Sequence, residues 1–210
     1  MTRTVYVVDD EDPIRRALRL MLTVQGYAVS LFSSGPALLD VVNSLVPGSV
    51  LLDVRMPEMD GIEVQRHLNQ RRPELPVVVM TGHGDVAVAV AALQAGAISF
   101  VEKPFNKAML TQALKDAFLK LEDPKGFARL NASIASRVGA LAEDDRAVLS
   151  AIASGRSNDH VADDLGISAT VVEARRARIL AELELENVND LLRAAFAAGY
   201  GPRSALRDNT

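Results

Sequence analysis

A carboxylate at the end of an apolar run can accept a phosphoryl group if other segments bring it a cation and hydrogen-bond donors. Asp53 has that setting, closing the run Val50-Leu51-Leu52-Asp53. Three more apolar runs end in polar clusters: Val5-Tyr6-Val7-Val8 in Asp9-Asp10, Val77-Val78-Val79-Met80 in Thr81-Gly82, and Ile98-Ser99-Phe100-Val101 in Glu102-Lys103-Pro104. Carboxylates do form covalent phosphoryl intermediates, but toward an anionic donor their charge must first be neutralised. Mg²⁺ does this through hard oxygen ligands, typically one or two carboxylates with phosphate oxygens and waters. Asp10 and Asp53 can supply those carboxylates, with Asp9 acting directly or through water. Lys103 offers a mobile point charge to phosphoryl oxygens, and Thr81 offers a hydroxyl to a third oxygen. Positioning and charge neutralisation are most of what phosphoryl transfer requires.

Each cluster alone has a plainer reading. Asp9-Asp10 can cap the next helix, and Asp53 can open the turn-rich stretch Met56-Pro57-Glu58-Met59-Asp60-Gly61. An aspartyl nucleophile also suggests a haloacid-dehalogenase-like phosphatase, built on an Asp-x-Asp-x-Thr/Val pattern. Asp10-Glu11-Asp12 supplies its first half, but Pro13-Ile14 does not continue it, and Asp53 is left unexplained. What separates chance from design is the order of the pieces along the chain. Strand-like apolar runs lie near residues 4–8, 28–32, 49–53, 76–80 and 98–101. Helical patterns fill roughly 12–25, 35–45, 61–71, 86–95 and 106–120. Such alternation predicts a parallel sheet with helices on both faces. Runs as apolar as Pro76-Val77-Val78-Val79-Met80 suit strands buried on both sides. All four polar clusters then gather at the carboxyl edge, where open α/β sheets place their sites.

On Asp9-Asp10, Asp53 with Met56-Pro57 and Asp60-Gly61, Thr81-Gly82 and Lys103-Pro104-Phe105, residues 1–121 resemble the receiver domain of two-component response regulators. Val54-Arg55-Met56-Pro57, Met80-Thr81-Gly82-His83-Gly84-Asp85 and Glu102-Lys103-Pro104-Phe105 resemble the FixJ subgroup most. The resemblance implies a five-stranded parallel doubly wound, flavodoxin-like sheet. It implies that a sensor histidine kinase phosphorylates Asp53. It also implies that the backbone carbonyl of Arg55 completes the Mg²⁺ shell with Asp9, Asp10 and Asp53, and that Lys103-Pro104 is a cis peptide. Phe100 stands where this family has a switching aromatic, whose ring would enter the space left when phosphate draws Thr81 inward; the alternative is plain core packing. Val90, Gln94 and Ser99 fall where the FixJ subgroup forms its dimer surface, so a homodimer on phosphorylation is expected.

Composition narrows the remaining classes. The chain has 210 residues, 49% hydrophobic, with a net charge of −4 and no cysteine. Disulfides, thiolate catalysis and cysteine–zinc sites are therefore excluded. His67, His83 and His160 form no ligand spacing. No apolar run approaches the roughly 18 residues of a membrane helix, and strand 1 begins too early for a signal peptide. A cytoplasmic protein without membrane contact is expected.

After about residue 121 the alternation stops. Glu122-Asp123-Pro124-Lys125-Gly126 predicts a break, residues 127–138 a linker helix, and segments near 143–154, 158–165, 169–184 and 188–198 four further helices. Gly155, Gly166 and Gly199 fall where helices should stop, and Ser168 where one should be capped. The short break Gly166-Ile167-Ser168 fits a helix-turn-helix or an ordinary small bundle. Residues 141–200 resemble the LuxR-type DNA-binding domain through Leu141, Arg146, Val148-Leu149, Gly155, Asn158, Val161-Ala162, Leu165-Gly166-Ile167-Ser168, Val172, Ile179, Leu183 and Leu191. Domains are thus expected at 1–121 (receiver), 122–139 (linker) and 140–200 (helix-turn-helix effector), with a tail at 201–210.

The surface of that effector departs from the family. Asn158-Asp159-His160 replaces Asn-Lys-Glu, Val171-Val172 replaces Thr-Val, Arg175 replaces His, and Glu182 replaces Lys; Ala142 replaces a capping Ser or Thr. Residues 140–200 hold six arginines, no lysine and eleven acids, a balance of −5. DNA affinity rests largely on neutralising phosphates, and a basic footprint is its sequence sign. The candidate DNA contacts are Thr170, Glu173, Ala174, Arg175, Arg176 and Arg178. The three arginines would reach phosphates, or Arg175 a guanine edge; otherwise they are a solvated helix face. Two functions follow. One is a phosphorylation-switched, DNA-binding transcription regulator. The other is a response regulator whose helix-turn-helix no longer binds DNA and which acts through protein contacts or as a phosphate sink. In both, catalysis is at most of the protein's own phosphorylation and dephosphorylation.

Overall fold

The computed structural model describes residues 2–82, 86–104 and 107–201. His83-Gly84-Asp85 and Phe105, both part of the resemblance, and tail residues 202–210 lie outside the described residues. The described elements run β1 (Thr4–Val8), α1 (Asp12–Val24), β2 (Ala28–Phe32), α2 (Gly35–Val41), a 3₁₀ turn (Val42–Ser44), β3 (Ser49–Asp53), α3 (Gly61–Arg71), β4 (Val77–Thr81), α4 (Val86–Gln94), β5 (Ser99–Glu102) and α5 (Lys107–Glu122). They continue with α6 (Pro124–Ala140), α7 (Glu143–Ala153), α8 (Asn158–Leu165), α9 (Ala169–Glu182) and α10 (Val188–Ala197).

The chain divides into two compact units. The first holds the sheet with residues up to 84 and from 95 to 126; the second groups α4 with the helices after residue 126. In the first unit the five strands are parallel, in the order β2-β1-β3-β4-β5. Successive side chains of a strand point to opposite faces, yet Val5, Tyr6, Val7 and Val8 are all buried, as are Val77 to Met80. Both faces are therefore covered, as the uninterrupted apolar runs predict. One face of the sheet (Val5, Val7, Leu51, Val78, Met80, Val101) packs on Leu18 and Leu22 of α1 and on Leu110, Leu114 and Phe118 of α5. Burial of this kind is worth on the order of 25 cal/mol per Å² of apolar surface, and it levels the strand ends that carry the polar clusters.

Two strands sit one residue further along than the apolar runs suggest, at 77–81 and 99–102. Thr81 pairs with Glu102 inside the sheet and does not fall in a loop. Helix α2 stops at Val41, short of the expected 45, and tightens into the 3₁₀ turn. The break expected at 122–126 shrinks to a single residue. Helix α5 runs to Glu122, the Asp123 amide still donates to the Leu119 carbonyl at 2.8 Å, and Pro124 starts α6. Proline fits a first helical position because its missing N–H has no partner there anyway.

In the second unit α7 to α10 enclose Val148, Leu149, Ile152, Val161, Val172, Ile179, Leu183, Leu191 and Leu192, all buried. Ser157, Ser168 and Asn187 cap α8, α9 and α10 by accepting backbone N–H groups. Gly166 ends α8 with φ +64, in the left-handed region glycine enters freely. Helix α9 stops at Glu182, two residues earlier than its apolar spacing suggests, and Glu184 turns the chain with φ 54.

Candidate functional site

The strand register places the polar ends together. Val8 pairs with Leu52, Asp53 with Met80 and Thr81 with Glu102, so Asp9, Asp53, Thr81 and Lys103 reach one edge at one level. Asp9 is fully buried, Asp53 is 5% exposed, and Asp10 faces solvent. Lys103 bridges the buried carboxylates, its Nζ 2.8 Å from Asp9 Oδ2 and 2.8 Å from Asp53 Oδ1. A buried charge is tolerated when it is paired and hydrogen-bonded, and this ammonium pairs with both. The Lys103 backbone N–H donates to the Thr81 carbonyl at 2.7 Å, which ties β5's end to β4's. The Lys103-Pro104 peptide is cis, as the resemblance implied. The Thr81 hydroxyl donates to the Gly82 carbonyl at 2.9 Å and is nearly buried.

The loop after β3 is built to keep α3 close to Asp53. The Asp60 side chain caps α3 by accepting the Glu63 N–H at 2.8 Å, and the Gly61 N–H donates to the Val54 carbonyl at 2.8 Å. A Cβ on Gly61 would lie 2.8 Å from Val54 Cα, so only glycine permits this approach. Arg55 follows with its side chain exposed.

The electrostatics of the site show what it could hold. Burial pushes the Asp53 carboxyl above its ordinary range. Hydrogen bonding and charge from Lys103 pull it down, and the neighbouring Asp9 and Asp10 push it up again. Lys103 is held above its ordinary value: burial opposes its charge, but hydrogen bonds and charges from Asp53 and Asp9 outweigh it. Ligand oxygens of Asp9, Asp10 and Asp53 all lie within 4.8 Å of one another. Three carboxylates against one ammonium leave a local excess of two negative charges, which a divalent cation with oxygen preference would cancel. The donor set therefore fits Mg²⁺.

The other candidates are distributed as follows. Phe100 is buried, 2% exposed, in β5. Val90 and Ser99 are buried and Gln94 is half-buried. On α9, Thr170, Glu173, Ala174, Ala177 and Arg178 are exposed, and Arg175 and Arg176 are half-buried. Two of the candidate DNA-contact arginines are paired within the domain: Arg175 with Asp144 at 2.7 Å and Asp145 at 3.4 Å, and Arg178 with Asp145. Their partners lie about thirty residues away, so no local spacing announced them. Arg15 also escaped the sequence. Its guanidinium donates to the Asp9 carbonyl at 2.7 Å and to Asp12 at 3.1 Å, holding the loop after β1. Its place one turn into α1, after an acidic loop, was the available signal.

Comparison with known proteins agrees with this geometry. Residues 5–115 match the response regulator receiver domain and residues 140–195 the bacterial regulatory proteins of the luxR family. The chain is 39% identical over 199 residues to the transcriptional regulatory protein FixJ of Rhizobium meliloti (strain 1021), covering 95% of this chain and 98% of that protein. It is 36% identical over 196 residues to the C4-dicarboxylate transport transcriptional regulatory protein DctR of Rhodobacter capsulatus, covering 92% and 99%. Full-length FixJ from B. japonicum superposes with a TM-score of 0.58 at 35% identity, over 95% of this chain and 98% of that one.

Proposed function

Because this chain belongs to the FixJ-type response regulators, with a receiver and a LuxR-type DNA-binding domain, we propose that phosphorylation of Asp53 by a sensor histidine kinase controls its action in transcription. The observation that carries this reading is Lys103 bridging Asp9 and Asp53 at 2.8 Å each, beside the acidic trio. An Asp53 oxygen attacks the phosphorus of a phosphohistidine, the P–N bond breaks, and the imidazole nitrogen leaves and takes up a proton. Lys103 then turns from the carboxylates toward a phosphoryl oxygen, and the Thr81 hydroxyl donates to another. Asp9, Asp10, Asp53 and the Arg55 carbonyl would hold Mg²⁺, which supplies charge neutralisation. The same groups support slow self-phosphorylation from small phosphodonors and hydrolysis of the aspartyl phosphate.

The output is a change at Thr81 and Phe100, followed by pairing of two chains through Val90, Gln94 and Ser99. Val90 and Ser99 are buried in this state, so pairing requires that they be uncovered. A switch of this kind needs an element with two arrangements that the phosphate biases. Pairing brings two effector domains, residues 140–200, onto neighbouring half-sites, and linkage of two weak modules raises avidity without new contacts. We place this action on DNA in the cytoplasm, with 1–121, 122–139 and 140–200 as receiver, linker and effector.

The test is fluorescence anisotropy on promoter fragments, with and without phosphorylation, across a salt series, with Asp53→Asn as control. Phosphorylation-dependent binding that weakens with salt is expected, and Asp53→Asn should incorporate no phosphate. Absence of binding at low salt with phosphorylation verified would move the output to protein contacts or phosphate flow.

A further inference from the structure

The proposed recognition helix α9 carries three arginines, and the structure does not treat them alike. Val172 and Ile179 mark its buried stripe. Opposite that stripe lie Thr170, Ala174, Ala177 and Ala181, all exposed. At 3.6 residues per turn these four share one face, and only Thr170 among them can form a side-chain hydrogen bond. Attraction to a phosphate backbone must therefore come from the arginines at the margins. Asp145 takes two of them. Its carboxylate is 1% exposed and accepts from both Arg175 and Arg178, while the exposed Asp144 accepts from Arg175 at 2.7 Å. Arg176 has no partner among the described residues, and Glu173 and Glu182 add negative charge to the same helix.

We propose that Asp144 and Asp145 set the DNA affinity of this domain: Asp145 is a positioning residue that fixes Arg175 and Arg178 against the start of α7, Asp144 restrains Arg175, and Arg176 is left as the helix's uncommitted phosphate contact. The inference rests on the DNA-binding reading and deepens it. A guanidinium engaged by a buried carboxylate cannot also neutralise a phosphate without giving up that pairing, and the acid left behind would be buried and unpaired. The domain is thereby built to bind duplex weakly, and its affinity is held down from a helix that itself touches no DNA.

The salt dependence of duplex binding decides the matter, because its slope counts neutralised phosphates, roughly 0.9 per contact. The full-length phosphorylated chain is titrated with a short mixed-sequence duplex across a salt series, as wild type, Asp144→Asn, Asp145→Asn and Arg176→Ala. Asp144→Asn, at an exposed position, is expected to steepen the slope by about one contact and tighten low-salt binding several-fold. Asp145→Asn should steepen it further and lower the Tm. Arg176→Ala should flatten it by about one contact with an unchanged Tm. A purely structural role for the two acids would move the Tm and leave the slope alone. Wild-type slopes in both aspartate variants would overturn the proposal. A wild type that binds no duplex at low salt would sink the DNA-binding reading. In that case duplex binding gained by either aspartate variant would still support the restraint, and none gained would overturn it too.

Discussion

Lys103 is the residue on which the site's electrostatics turn. Its ammonium meets two buried carboxylates, Asp9 and Asp53, and it lies 19% exposed itself. Lys103→Ala leaves Asp9 and Asp53 facing each other without it, and removing one partner of a buried pair costs about 3–5 kcal/mol. Urea unfolding of the variant without metal should show a loss near the low end of that range, since water reaches Lys103. Added Mg²⁺ should recover part of it, because a divalent cation answers the same charge excess. Recovery by Ca²⁺-free monovalent salt alone would show that screening, and not a bound cation, is at work. Asp53→Asn moves the other way. Burial, Asp9 and Asp10 disfavour the ionised carboxylate, so a neutral isostere should raise the Tm of the metal-free chain. The same variant should respond to Mg²⁺ less than wild type does. A lower metal-free Tm would mean that the Lys103 pair outweighs burial. These residues are legible in the sequence because each closes or follows a strand, and strand ends converge on one edge.

At the scale of elements, the sequence carries what is local and loses what is distant. Ser168 as a cap, Gly155, Gly166 and Gly199 as stops, and the five strands follow from periodicity and backbone chemistry within a few residues. Pro124 reads equally as part of a longer break or as a first helical position, and in the structure it opens α6. The pairing of Arg175 and Arg178 with α7 was invisible, since only the packing of α7 against α9 brings residues thirty apart in sequence within reach. Two substitutions probe local elements. Ser168→Ala removes the acceptor for the Val171 N–H and should cost about 1 kcal/mol, read as a lower midpoint for unfolding of the helical domain. Gly61→Ala forces α3 away from Val54 and should cost about 1–3 kcal/mol. It should also slow phosphorylation of Asp53, because the loop that carries the Arg55 carbonyl must shift. Normal phosphorylation kinetics in a destabilised Gly61→Ala would separate that loop's packing role from its role at the site.

Over the whole molecule, the two compact units are expected to respond differently to a divalent cation. The sheet unit holds the three carboxylates and Lys103; the helical unit holds no such cluster among its described residues. A ligand that binds only the folded form stabilises by RT ln(1 + [L]/Kd), about 2.7 kcal/mol at a hundredfold excess over Kd. Mg²⁺ should therefore raise the transition of the receiver and leave that of the helical unit in place. Calorimetry of the full chain should resolve two components, with only one moving in a Mg²⁺ titration, and neither moving in Asp53→Asn to the wild-type extent.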